Sequence, residues 1–224
     1  MQNVDNKKEF IKYFENLSFK YGRYRVWTDF VYISAYAISN PFDKRFFEER
    51  EKHYNEIISR YEKEEISNFV HMLAEVISAY IENTEQDFLG SIFGELRLNN
   101  EWSGQFFTPY NIGSMMSKII LEDQIETKSK SEPITISDPC CGSGCLLIGA
   151  VNHARESGYN IEKDVIIYTQ DIDNIAALMC YIQLSLLGCK AIVKIGDSLS
   201  DPLVIGDDMK NPNLWLTPAF LAKK

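Results

Sequence analysis

Ser137-Asp138-Pro139-Cys140-Cys141-Gly142-Ser143-Gly144 is the stretch on which the reading of the chain turns. The β-branched run Ile134-Thr135-Ile136 leads into it, and Cys145-Leu146-Leu147-Ile148-Gly149-Ala150-Val151 follows with apolar residues at helical spacing. That is a short strand, a tight glycine turn and a helix. Gly142 and Gly144 allow a sharp turn and let a ligand come close to the backbone amides. The first turn of the helix that follows aims free N–H groups at the same loop, which suits an electron-rich group. A glycine turn at a strand end is a common place to bind a cofactor in open α/β sheets.

Downstream, the pattern repeats. Val165-Ile166-Ile167-Tyr168 reads as a second buried strand running into Gln170-Asp171-Ile172-Asp173, and Ala176 to Leu187 reads as a helix ending at Gly188. Ala191 to Ile195 is a third strand, closing on Gly196-Asp197-Ser198-Leu199. Gly158 is the expected stop of the helix between the first two strands. Alternating β-α-β-α-β with short loops implies a parallel sheet with right-handed crossovers. Three strand ends then carry a glycine loop, one acid and a second acid. Carboxylates placed there can accept hydrogen bonds from ribose hydroxyls and an adenine amino group, giving a nucleoside-shaped site. Taken singly, Asp171 also fits a helix N-cap and Asp197 a turn.

Upstream, residues 1–100 read as a helical domain, and residues 101–224 as a separate cofactor-binding domain. Ile66, Phe69, Val70, Leu73, Ile77, Tyr80 and Ile81 recur as one buried helical face. Asp43 to Glu65 reads as one solvated helix carrying Tyr54, Ile57, Ile58 and Tyr61 inward. Lys20 to Trp27 interleaves basic and aromatic residues; packing with snorkelling arginines is favoured over nucleic-acid contact. A further helix is expected over Ile112 to Leu121, after Ser103-Gly104-Gln105-Phe106-Phe107-Thr108-Pro109.

The chain has 224 residues, 45% of them hydrophobic, enough for a substantial core. No apolar run reaches the ~18 residues of a membrane span, and Met1 to Lys8 has no apolar segment after its charges, so a cytoplasmic protein with no membrane association is expected. Net charge is −9, with 13 basic against 17 acidic residues up to residue 100 and 10 against 15 after it. No basic domain is hidden in that balance, so a partner subunit is expected to supply much of any grip on nucleic acid. Five cysteines (Cys140, Cys141, Cys145, Cys180, Cys189) form no disulfide framework of even count and no second pair at metal-ligand spacing, and they read as small buried apolar residues.

These residues resemble the S-adenosylmethionine-dependent DNA adenine-N6 methyltransferases, specifically the modification subunits of type I restriction–modification systems. Gln105, Phe107, Thr108 and Pro109 within GQFFTP resemble the motif that helps hold the methionine end of the cofactor. Asp138, Pro139, Cys140, Gly142, Ser143 and Gly144 within DPCCGSG resemble the main cofactor loop. Asp171, followed by Ile172, stands in the place of the ribose-binding acid, and Asp197-Ser198-Leu199 resembles the segment whose acid reads the cofactor's adenine. The resemblance implies a Rossmann-like methyltransferase domain with strand order 3-2-1-4, behind a helical N-terminal domain. S-adenosylmethionine is the implied cofactor. DNA is the implied substrate, reached with a specificity or restriction subunit or by self-association.

One motif departs. The family's next strand ends in Asn-Pro-Pro-Phe or Tyr, whose Asn and first proline accept hydrogen bonds from the target adenine while the ring stacks on the flipped base. Leu214-Trp215-Leu216 followed by Thr217-Pro218-Ala219-Phe220 is the best match here, with Thr217, Pro218 and Phe220 as the degenerate catalytic set. A hydroxyl does not reproduce an amide carbonyl's reach, and the chain stops at Lys224, so the domain is expected to be incomplete. Two readings stay open: an adenine methyltransferase, and a non-catalytic cofactor-binding remnant or accessory subunit acting by association. The departures favour the second for the isolated chain.

Overall fold

Asp5 opens the first helix by accepting a 3.2 Å hydrogen bond from the Lys8 N–H, a side-chain cap that satisfies an otherwise unpaired donor. The computed structural model describes residues 5–98, 107–127, 133–204, 206 and 209–222. Five helices come first: α1 (Asn6–Tyr21), α2 (Arg23–Ser39), α3 (Phe47–Ile58), α4 (Lys63–Glu82) and α5 (Phe88–Glu95). Then follow α6 (Tyr110–Thr127), β1 (Ile134–Asp138), α7 (Cys145–Glu156), α8 (Ile161–Asp164), β2 (Val165–Asp171), α9 (Asn174–Leu186), β3 (Lys190–Ile195), β4 (Leu214–Leu216) and α10 (Pro218–Leu221). The expected β-α-β-α-β run is present, with β1, β2 and β3 parallel. One buried cluster runs from Phe10 in α1 to Trp215 in β4, through the helical part and the sheet alike.

Three expectations for the helical part need correction. The stretch from Asp43 to Glu65 is two helices: the chain breaks after Ile58 and restarts where the Glu62 N–H donates to the Glu65 carboxylate at 2.9 Å. Its charges are not all solvated, because Asp43 and Arg50 are buried and paired at 3.0 Å. In α4 the buried face is Phe69, Met72, Val76, Ala79 and Tyr80, while Val70, Ile77 and Ile81 face outward. The basic-aromatic segment is divided: Val26 and Trp27 are buried and Arg23 pairs with Glu15, while Tyr24 and Arg25 are exposed.

The sheet order is β1-β2-β3-β4, not 3-2-1-4. β4 lies at the β3 edge and runs antiparallel to it, with Val193 opposite Trp215. The cause is side-chain packing. Trp215 lies 5.7 Å from the Tyr36 ring and 5.2 Å from the Tyr181 ring, with the Arg50 guanidinium 4.1 Å from its centroid. Arg45 donates to the Leu214 and Met209 carbonyls. On the other face Leu214 and Leu216 form a small cluster with Ile192. A strand apolar on both faces has to be covered on both, and here each face is covered.

Candidate functional site

The parallel strands end together, and their ends bring Asp138, Asp171 and Gly196-Asp197 to one edge of the sheet. Between β1 and α7 the chain turns through Gly142 (φ +56°) and Gly144 (φ +96°), a left-handed conformation that favours glycine. The loop is tied to β2 twice: the Cys141 N–H donates to the Gln170 carbonyl at 3.0 Å, and the Gly142 N–H to Asp171 Oδ2 at 2.8 Å. The Asp173 N–H donates to Asp171 Oδ1 at 2.9 Å. Asp171 is thus held rigidly by backbone, and each of its oxygens keeps a further acceptor site.

Asp138 accepts from the Cys140 N–H at 3.0 Å, while burial and the nearby Asp171 charge push its carboxyl above the usual range. Asp197 behaves oppositely. Bonds from the Leu199 N–H and the Ser200 hydroxyl, both 2.9 Å, stabilise its charged form and lower its pKa. Cys140 Sγ lies 3.9 Å from the Ser198 hydroxyl, bridging the ends of β1 and β3. Two aliphatic side chains stand exposed on the loops that leave β2 and β3: Ile172 at 69% and Leu199 at 92%.

The Phe107 ring packs against the glycine loop, 3.2 Å from where a Cβ on Gly142 would lie, and its other side meets Phe93 at 5.2 Å. Thr108 and Pro109 lead into α6, beside an open cavity of about 480 Å³ whose walls include Asp87, Gly90 and Tyr110. Gln105 lies outside the described residues. The structure therefore gathers Phe107, Thr108, Pro109, Asp138, Pro139, Cys140, Gly142, Ser143, Gly144, Asp171, Ile172, Asp197, Ser198 and Leu199 around one edge of the sheet. Ser143 points away from it, however. Its side chain is buried and donates to Asp87 at 2.5 Å. Cys140 is exposed, whereas the other four cysteines are buried as expected; burial pushes the Cys145 and Cys189 thiols up to about 12.

Thr217, Pro218 and Phe220 are not at this edge. Because β4 is antiparallel, Thr217 lies beside the first residues of β3, about 13 Å along the strand from Ile195 at ~3.3 Å per residue. It is fully buried; its hydroxyl donates to the Cys189 carbonyl at 2.6 Å and accepts from the Ala191 N–H at 2.9 Å. Strand direction therefore places these three residues at the opposite end of the sheet from the other candidate residues.

Two glutamines that hold the site together escaped the sequence reading. The Gln170 side chain donates to the Gly196 and Asp201 carbonyls and accepts from the Leu203 N–H, fixing the loop that carries Asp197. Gln183, buried in the middle of α9, bonds to Asp87 and to the Ser143 carbonyl. A lone amide inside an otherwise apolar helix was the available signal, since buried polar groups come with partners.

Comparison with known proteins places this geometry in context. The N-6 DNA Methylase family model matches residues 85–214. The methylase subunit of the type I restriction enzyme MjaVII from Methanocaldococcus jannaschii is 25% identical over 152 residues, covering 65% of this chain and 24% of that subunit. The corresponding MjaIX subunit from the same organism is 30% identical over 114 residues, covering 51% and 18%. This chain thus spans about a quarter or less of the length of these curated relatives. A solved Listeria monocytogenes protein described as a class I S-adenosylmethionine-dependent methyltransferase superposes with a TM-score of 0.49 at 20% identity, covering 89% of this chain and 56% of that one. With the family model matched over more than half of its residues, the chain belongs to the N-6 DNA methylase family.

Proposed function

We propose that the chain binds S-adenosylmethionine at the edge formed by the ends of β1, β2 and β3, and takes part in N6 methylation of adenine in DNA. The observation that carries this reading is the convergence of the glycine loop, Asp171 and Asp197 at three adjacent strand ends, held by backbone hydrogen bonds. The residues fit the group. Asp171 has acceptor capacity for ribose hydroxyls, Asp197 is held in its charged form for an amino group, and Ile172 and Leu199 supply exposed apolar surface for a purine. Phe107, Thr108 and Pro109 flank the glycine loop on the side assigned to the methionine end, with Gln105 completing that motif. When bound, the cofactor supplies a methyl group on a sulfonium for in-line transfer; this chain's part is to hold and orient it.

DNA is reached with other subunits, a specificity or restriction subunit or a second copy of this chain, because a net charge of −9 leaves little of the basic surface that phosphate contacts need. The cytoplasm is the expected compartment, in keeping with the described residues, none of whose helices is long and apolar enough to cross a membrane. A second reading, a cofactor-binding subunit that acts by association without transferring the methyl itself, is favoured by the burial of Thr217 at the far end of the sheet.

Calorimetry with S-adenosylhomocysteine tests the proposal. Wild type binds, and Asp171→Ala weakens binding by about 10- to 100-fold, the range of one hydrogen bond to a charged group. Equal affinity in both removes Asp171 from the site.

A further inference from the structure

Asp87, Gln183 and Ser143 meet at a buried point that no ligand contact explains. The Gln183 amide fills its hydrogen-bonding capacity there. Its Nε2 donates to Asp87 Oδ1 at 2.9 Å and to the Ser143 carbonyl at 2.7 Å, and its Oε1 accepts from Tyr80 Oη at 2.5 Å and the Leu89 N–H at 2.9 Å. Asp87 caps α5 through the Gly90 N–H at 2.9 Å and accepts the Ser143 hydroxyl on its other oxygen. The packing is tight: a Cβ on Gly90 would come within 2.1 Å of Asp87 Oδ2 and 2.5 Å of Ser143 Oγ. Helices α4, α5 and α9 and the glycine loop therefore share one satisfied, buried polar network.

We propose that Asp87 and Gln183 are positioning residues: through Ser143 they make the helical part of the chain the outer clamp on the glycine loop, opposite the inner clamp of Asp171. The inference rests on the cofactor reading of that loop. Asp171 holds the Gly142 amide from the sheet side, whereas Asp87 and Gln183 hold the next residue by its hydroxyl and its carbonyl. With both clamps in place, the loop cannot rock on its two glycines. Cofactor affinity then depends on α5 and α9, neither of which carries one of the acids assigned to the ligand. Fixing the loop before binding lowers the ordering cost that binding would otherwise carry.

The test uses the full chain with two mild variants, Ser143→Ala and Asp87→Asn. In ligand-free protein, amide exchange over residues 139–146 should quicken by about tenfold in each, while exchange in β3 stays at the wild-type rate. Affinity for S-adenosylhomocysteine should fall by about tenfold in each. The losses in the double variant should fall short of the sum of the single ones, because both changes remove the bond between the Ser143 hydroxyl and the Asp87 carboxylate. Wild-type exchange in the loop and wild-type affinity in the single variants, or effects that simply add, would overturn the proposal. If the loop loosens as expected but wild type binds no S-adenosylhomocysteine, the clamp stands and the cofactor reading falls.

Discussion

The two ends of the sheet solve opposite problems. At the end where β1, β2 and β3 finish, the carboxylates of Asp171 and Asp197 are held by backbone N–H groups yet keep acceptor capacity, and aliphatic side chains stand exposed beside them. At the other end, beside the start of β3, Thr217 spends its hydroxyl on the β3 backbone and is sealed from solvent. The first end leaves acceptor capacity and apolar surface open to solvent; the second closes the sheet. What a strand end presents thus depends on the direction in which the strand runs.

The sharpest way to break that contrast is at Trp215. Its ring is covered by Tyr36, Tyr181 and Arg50, so Trp215→Ala should cost about 3–5 kcal/mol of stability in urea unfolding. Affinity for S-adenosylhomocysteine, measured where the variant is still folded, should change by less than about threefold, near the usual scatter for distant, independent sites. A large loss of affinity would mean that the two ends are coupled.

Thr217→Val asks the same question more gently. It leaves the Ala191 N–H and the Cys189 carbonyl without their hydroxyl partner, which should cost about 1–3 kcal/mol of stability. Methyl-transfer activity in any reconstituted complex should not fall beyond that lost stability. A selective loss of turnover in a stable variant would return Thr217 to the chemistry.

The smallest effect concerns Asp87. Burial outweighs its three donors and raises its pKa in the folded chain. Its folded value lies above its unfolded one, so its proton-linked contribution to stability is fully present below the unfolded pKa and is lost as pH rises through the folded pKa. Wild-type stability should therefore fall relative to Asp87→Asn as pH rises through that window, by no more than about 1.4 kcal/mol per pH unit. Parallel stability–pH curves for the two proteins would show that Asp87 titrates normally.

Most of this architecture is legible in the sequence, for local reasons. β1, β2, β3 and their helices are marked by short apolar runs and by punctuation at Gly158 and Gly188, which the structure places just past helix ends, although the cap of α9 is Asp173 and not Asp171. What was not legible depends on partners far along the chain. β4 is recognisable as a strand, but its direction is set by Tyr36, Arg45, Arg50 and Tyr181. The sequence does not reveal the buried face of α4, because Val70, Ile77 and Ile81 are as apolar as the residues that pack inward. Asp87 and Gln183 could be flagged as polar residues in apolar surroundings, yet their pairing exists only in three dimensions.

Amide exchange across the whole chain, with and without S-adenosylhomocysteine, tests the central claim most directly. Binding at the end of β1, β2 and β3 predicts slower exchange at 138–144, 171–173 and 197–199, and no change at 214–221. Protection confined to 214–221, or none anywhere at saturating ligand, would contradict it.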